Sequence, residues 1–413
     1  MFAQFVEEGS FVEPRILQIQ GKPDLRRMLV PIGPVTVFGA SNFPLAFSVA
    51  GGDTASAFAA KCPVVVKAHQ SHPGTSELVA EGIIEAVKAS DMPNGTFSLL
   101  HGGANVGQAL VKHPLTKAVG FTGSYKAGRA LFDLAARRDV PIPVYAEMGS
   151  INPVIILPEA LQTKAANIAE GLSGSVCLTV GQFCTNPGLV LAVGKQTLSA
   201  SFLDLLKSHM SQVPVASMLN KSIHDSYVHG VQHLAKQQGV QVLLEAKTEG
   251  TKVGPALLTV DAKTFVKNAK VLQEEVFGPS TLVVRCETYD EALACLHSLG
   301  GQLTGTIHAT EQELQASNTK SQVDELLSAL QDKVGRIIFG GYPTGVEVTP
   351  AMTHGGPFPA TTSAGFTSVG TESIKRWLRP VTYQTAPQFV LPDALKDGNP
   401  QKIWRLENNT MTK

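Results

Sequence analysis

The chain has 413 residues, 43% hydrophobic and 16% charged, with Lys+Arg 34 balanced by Asp+Glu 34. That length allows two or three domains around a large core, and the balanced charge excludes the basic face that nucleic acid or an anionic membrane would require. The five cysteines, at 62, 177, 184, 286 and 295, form no C-x-x-C pair and no zinc-type spacing with histidine, so no metal is expected. Glu7 and Glu8 stand where a secretory leader would need a basic start, and the most apolar stretch, 35–60, is interrupted by Asn42, Pro44 and Asp53. A cytoplasmic protein without a membrane span is expected.

Residues 11–31 alternate turn formers with short apolar runs and predict an exposed hairpin or arm. From Pro34 the texture becomes that of strand and helix in alternation. Val35–Phe38 predicts a buried strand, 45–59 a helix, 63–67 a strand, 73–88 a helix, 96–100 a strand, 105–111 a helix, 117–121 a strand and 125–137 a helix. Continuous apolar strands at this spacing predict a parallel, doubly wound α/β sheet. A strand over 142–146 ends at Glu147-Met148-Gly149-Ser150. Beyond it, strands at 153–157, 189–193 and 281–285 and helices at 161–173, 198–207 and 290–299 predict a second α/β unit, with one more helix at 372–378.

Four places carry candidate chemistry. Cys184 follows a Gly181-Gln182 turn and precedes the apolar run 189–193, which suits a thiol aimed into a cleft; alone it reads equally as a small core hydrophobe. Glu147 ends a strand and is a candidate general base or a solvated charge. Asn42, in Ser41-Asn42-Phe43-Pro44, can donate an amide to a developing oxyanion or simply build a turn. The G-x-G-x-x-G fingerprint is absent, but Gly123-Ser124 joins a strand to a helix N-terminus, where orphan N–H groups donate to a phosphate. Lys67 ends the second strand. Three residues later stands Gln70, where a carboxylate would bind ribose hydroxyls, and with His69 and Lys67 this suits the extra phosphate of NADP.

Taken together, Ser41-Asn42-Phe43-Pro44, Val66-Lys67, Phe121-Thr122-Gly123-Ser124, Glu147-Met148-Gly149-Ser150, Gly181-Gln182-Phe183-Cys184 and Glu274-Glu275-Val276-Phe277-Gly278-Pro279 resemble the aldehyde dehydrogenase superfamily. The resemblance spans 30 to about 385, and the wording around Gly39–Ser48 and Lys67-Ala68-His69 is most similar to its α-ketoglutaric semialdehyde (2,5-dioxopentanoate) branch.

The resemblance implies a Rossmann-type cofactor domain over 1–148, carrying an oligomerisation arm at 11–31, a catalytic domain over 149–350 and a C-terminal return over 351–413. It implies Cys184 as nucleophile, Glu147 as the base that activates water, and Asn42 with the Cys184 N–H as oxyanion donors. NADP, or NAD, would be held by Lys67, His69, Gln70, Gly123, Ser124, Glu275 and Phe277. An aldehyde substrate and a homodimer or homotetramer are implied as partners. Relatives carry roughly a hundred more residues before this point. Lys61 stands where they favour glycine, and Gly340 and Gly365 where they often place larger polar residues. A catalytically silent fragment and a CoA-acylating or aldehyde-reducing relative are the alternatives.

Overall fold

The computed structural model describes residues 1–317 and 319–413. The chain forms two compact units: residues 1–146, 348–352 and 366–413 make the first, and 147–347 with 353–365 the second. The tail expected as one segment from 351 is therefore divided between them. Among the described residues no helix is long and apolar enough to cross a membrane.

The first unit is built on a five-stranded sheet in the order Phe97–Leu100, Val64–Lys67, Val35–Phe38, Ala118–Thr122, Val144–Glu147. The pairings around Val35–Phe38 and Val64–Lys67 are parallel. This order reverses direction between Val35–Phe38 and Ala118–Thr122. Ligands of doubly wound sheets bind beside such a switch, outside the carboxyl ends of the strands. Every residue of Val35–Phe38 is buried, and Val35 and Val37 pack with Val64, Val66, Ala57 and Trp377 in one core cluster. The helix expected over 45–59 occupies only Gly52–Ala59. Residues 43–51 fold into tight turns because two glycines admit close backbone approach. A Cβ at Gly39 would lie 2.6 Å from the Ser48 Cα, and one at Gly51 2.6 Å from the Ala46 carbonyl oxygen.

A second sheet of this unit pairs the expected arm with the C-terminal part. Leu25–Pro31 lies antiparallel to Arg15–Leu17 and, over seven residues, to the edge strand Leu378–Gln384. The helix Pro73–Ala89 buries only Ser76 and Ala80. Lys61 has φ 61°, a left-handed conformation that costs a side chain and suits glycine.

The second unit carries a seven-stranded sheet in the order Gln241–Leu244, Ala256–Asp261, Ser280–Cys286, Leu189–Val193, Val154–Ile156, Gln302–His308, Val334–Phe339. All of its pairings are parallel except that of the edge strand Gln241–Leu244. The helix expected over 161–173 is two, Pro158–Thr163 and Ala165–Cys177, separated at Lys164.

Candidate active site

The Cys184 loop is shaped before it reaches the cysteine. After the helix ends at Cys177, Thr179, Val180 and Gly181 have φ 48°, 58° and 63°. Left-handed backbone is rare for β-branched threonine and valine, and such residues cost roughly 1–3 kcal/mol each and persist only where neighbours over-determine them. The neighbours do so. A Cβ at Gly181 would lie 2.2 Å from the Gly278 carbonyl carbon, so only glycine permits that approach. The Gln182 side chain accepts from the Leu219 N–H at 2.9 Å, and Asn186 Nδ2 donates to the Gly278 carbonyl at 2.9 Å. Asn152, itself at φ 46°, is the main clamp. Its Nδ2 donates to the carbonyls of Cys184 and Asn186, both at 2.9 Å, while its Oδ1 accepts from Thr304 Oγ1 at 2.9 Å.

Glu147 closes the strand Val144–Glu147 and begins the second unit. Its backbone bridges to Thr361, and the Met148 N–H donates to the Ala360 carbonyl at 2.7 Å. The same returning segment carries His354. Two glycine contacts press it onto the sheet: a Cβ at Gly335 would lie 2.2 Å from the Gly355 oxygen, and one at Gly356 2.1 Å from the Gln302 oxygen. His354 Nε2 consequently sits 3.0 Å from Glu147 Oε1 and 3.5 Å from Cys184 Sγ. The side chains of His354 and Glu147 are 1% and 5% exposed. Because Glu147, Cys184 and Glu275 all precede strands, this chemistry gathers at the amino ends of the second sheet.

Burial raises the Cys184 thiol; the His354 charge opposes this, and the Glu147 and Glu275 carboxylates push it further up. Burial acts against a charged His354, yet the Glu147 carboxylate and then the Cys184 sulfur outweigh it and raise the imidazole to about 10. Glu275 is exposed as a residue, while its carboxyl is desolvated by the protein packed around it. That desolvation lifts its carboxyl to about 7, against the lowering effect of the Ser150 N–H it accepts at 3.4 Å. Gly149 lies so near that a Cβ there would meet Glu275 Oε2 at 2.4 Å. Phe277 stands two residues beyond, partly buried.

The remaining expected site residues belong to the first unit. Asn42 is partly buried in the turn after Val35–Phe38, and Lys67 ends its strand. Asn42 therefore lies at the switch of that sheet, and Lys67 one strand away from it. Burial lowers Lys67. His69 is held down to about 4 by burial, then by His72 and Lys67. It is thus neutral near pH 7. Its Nδ1 accepts from the Ser71 N–H at 3.1 Å, which leaves the proton on Nε2 as a donor. Gln70 is exposed. A Cβ at Gly123 would lie 2.8 Å from the Phe121 ring. Ser124 caps the helix Tyr125–Ala136, accepting from the Ala127 N–H at 3.4 Å.

Among the expected residues, then, the second unit brings together Cys184, Glu147 and Glu275. His354 and Asn152 were not expected. The signal for His354 was available in His354-Gly355-Gly356-Pro357, where paired glycines mark a backbone pressed against a neighbour. Nothing at Asn152 beyond the Asn-Pro step foretold that it would hold two carbonyls of another loop.

Residues 1–342 match the aldehyde dehydrogenase family. The chain is 48% identical to alpha-ketoglutaric semialdehyde dehydrogenase 2 of Azospirillum brasilense over 417 residues, covering 99% of this chain and 78% of that protein. It is 45% identical to the alpha-ketoglutaric semialdehyde dehydrogenase of Acinetobacter baylyi over 420 residues, covering 100% of this chain and 78% of that one. The fold superposes on glyceraldehyde-3-phosphate dehydrogenase from Methanocaldococcus jannaschii, complexed with NADP, with TM-score 0.75 and 20% identity, over 93% of this chain and 78% of that one.

Proposed function

The chain belongs to the aldehyde dehydrogenase family, and from that premise we propose that it oxidises 2,5-dioxopentanoate (α-ketoglutaric semialdehyde) to 2-oxoglutarate through a thioester on Cys184. The substrate reading rests on the two relatives that are 48% and 45% identical over nearly the whole chain. The chemical reading rests on one observation: a nucleophilic thiol and a buried carboxylate lie against the same imidazole nitrogen.

Cys184 Sγ attacks the aldehyde carbon as a thiolate and forms a thiohemiacetal. The Asn42 amide and the Cys184 N–H are the donors assigned to its oxyanion. NADP, or NAD, supplies the hydride acceptor when bound. Collapse of the thiohemiacetal leaves the thioester on Cys184, and Glu147 takes a proton from water so that hydroxide attacks it. The acid then departs and Sγ is regenerated. The first unit suits the dinucleotide: Gly123 permits close backbone approach, the capped helix after it offers N–H groups, and Lys67 contributes a cation at the carboxyl end of the strand beside the switch. His69 Nε2–H and the neutral Gln70 favour a phosphate over ribose hydroxyls as neighbour, so NADP is preferred. Glu275 and Phe277 are assigned to the nicotinamide ribose. The exposed edge strand Leu378–Gln384 is the surface on which a second copy would complete a dimer or tetramer.

Reduced cofactor formation is followed at 340 nm with 2,5-dioxopentanoate and an aliphatic aldehyde panel, using NADP and NAD in turn. The expected result is 2-oxoglutarate in equal amount to NADPH, higher kcat/KM with NADP, and loss of turnover in Cys184→Ala. Unchanged turnover in C184A overturns the thioester route, and a higher kcat/KM for a simple aliphatic aldehyde overturns the substrate.

A further inference from the structure

We propose that His354 is a third ionisable member of this site, whose one Nε2 passes the Cys184 proton to Glu147 so that sulfur and carboxylate take negative charge in turn. The proposal rests on Cys184 being the nucleophile and deepens that reading.

Both partners address the same nitrogen: Glu147 Oε1 at 3.0 Å and Cys184 Sγ at 3.5 Å. In a relay of the Ser-His-Asp kind the acid holds one ring nitrogen and the nucleophile the other. Here a single N–H faces two acceptors and cannot serve both fully. Its shorter contact is to Glu147. A carboxylate only accepts, so the resting Nε2 carries a proton; the buried Glu147 carboxylate 3.0 Å away and the Cys184 sulfur favour a second proton on the ring, which makes the resting set thiol, imidazolium and carboxylate.

Two anions and one cation in a buried site would leave a net negative charge with little water to support it. One anion with the imidazolium leaves none. The thiolate therefore forms as the carboxylate is neutralised. The Nε2–H bond breaks as Oε1–H forms, and the Sγ–H proton moves to the vacated Nε2. One S–H is lost, one O–H is gained, and the imidazolium is restored beside the sulfur. Acylation then converts Sγ to a neutral thioester. The cation no longer has a thiolate to support, Glu147 loses its proton to solvent, and the carboxylate is ready to receive the proton of water.

Other charged groups near the pair do not replace His354. Glu275 and Glu147 raise the thiol, and His354 opposes them. Arg336, the other cation that senses Cys184, gives its Nη groups to the carbonyls of Pro343 and Gly345 at 2.7–3.3 Å. The glycine contacts at Gly335 and Gly356 hold the histidine segment in place, so the imidazole does not have to be recruited by substrate.

The test uses the full chain without aldehyde or cofactor, so its outcome does not depend on which substrate is turned over. The rate of Cys184 alkylation by iodoacetamide is measured across pH 5–11 in the wild type, His354→Gln and His354→Asn, with C184A as blank. Removing the cation is expected to move the alkylation midpoint up by at least one pH unit. At pH 7 the rate is then about tenfold lower, with the high-pH plateau within about twofold of wild type. A plateau that survives shows the thiol still accessible, which a merely structural loss would not give. Midpoints equal to wild type in either folded variant overturn the proposal. Should both variants fail to fold, ¹⁵N imidazole shifts of the wild type decide: a protonated His354 at pH 7 is expected, and a neutral one overturns it.

Discussion

Asn152→Asp isolates what holds the Cys184 loop in place. Aspartate keeps the shape of asparagine and tolerates the φ of 46° found there, so backbone strain changes little. It retains an oxygen facing Thr304 Oγ1 but replaces the amide that donates to the carbonyls of Cys184 and Asn186, both at 2.9 Å. Ionised, the new oxygen would point at two carbonyl oxygens; protonated, it supplies one donor where the amide supplied two. Asn152 is 0% exposed, so water does not compensate. Leaving one or two buried acceptors unpaired costs about 1–3 kcal/mol each, and a total near 3 kcal/mol is expected. For a unit of roughly 200 residues each kcal/mol lowers Tm by about 2–4 °C, so N152D should melt some 6–12 °C below wild type. Calorimetry measures that shift, and iodoacetamide labelling reports whether Cys184 becomes more accessible as its loop loosens. A Tm within about 2 °C of wild type with unchanged labelling would refute the clamp.

Two further substitutions test the backbone. Gly181→Ala adds a Cβ that would meet the Gly278 carbonyl carbon at 2.2 Å; at least tenfold slower turnover is expected, and full activity would show that the loop can shift without consequence. Lys61→Gly relieves an exposed left-handed lysine at φ 61°, so the first unit should gain about 1 kcal/mol, read as a higher urea midpoint; a lower midpoint contradicts the strain assigned there.

Much of the framework was legible because it depends on local pattern. The runs Val35–Phe38, Val64–Lys67 and Leu189–Val193 are strands where expected, since a buried parallel strand reads as an unbroken apolar run. The arm at 11–31 is the hairpin its turn formers predicted. The stretch 45–51 was misread as helix because its apolar spacing suits one. Gly39 and Gly51 instead let the chain fold back on itself, a close approach that periodicity does not register. The helix at 161–173 similarly hid a break at Lys164.

Sequence by itself marked the candidate chemistry: a cysteine after a glycine turn, a glutamate ending a strand, an asparagine on a turn and a glycine-serine step before a helix. Each was visible because its chemistry depends on its immediate neighbours. Only the tertiary structure decided that His354 meets Cys184, 170 residues away, and Glu147, and that Asn152 holds the cysteine loop. Both are set by contacts between segments far apart in the chain, where glycine-backed approach and burial determine which polar atoms meet. Burial holds His69 neutral as a donor, and desolvation by the surrounding protein lifts Glu275 to about 7. Charge is a property of surroundings, and the surroundings exist only once the chain has folded.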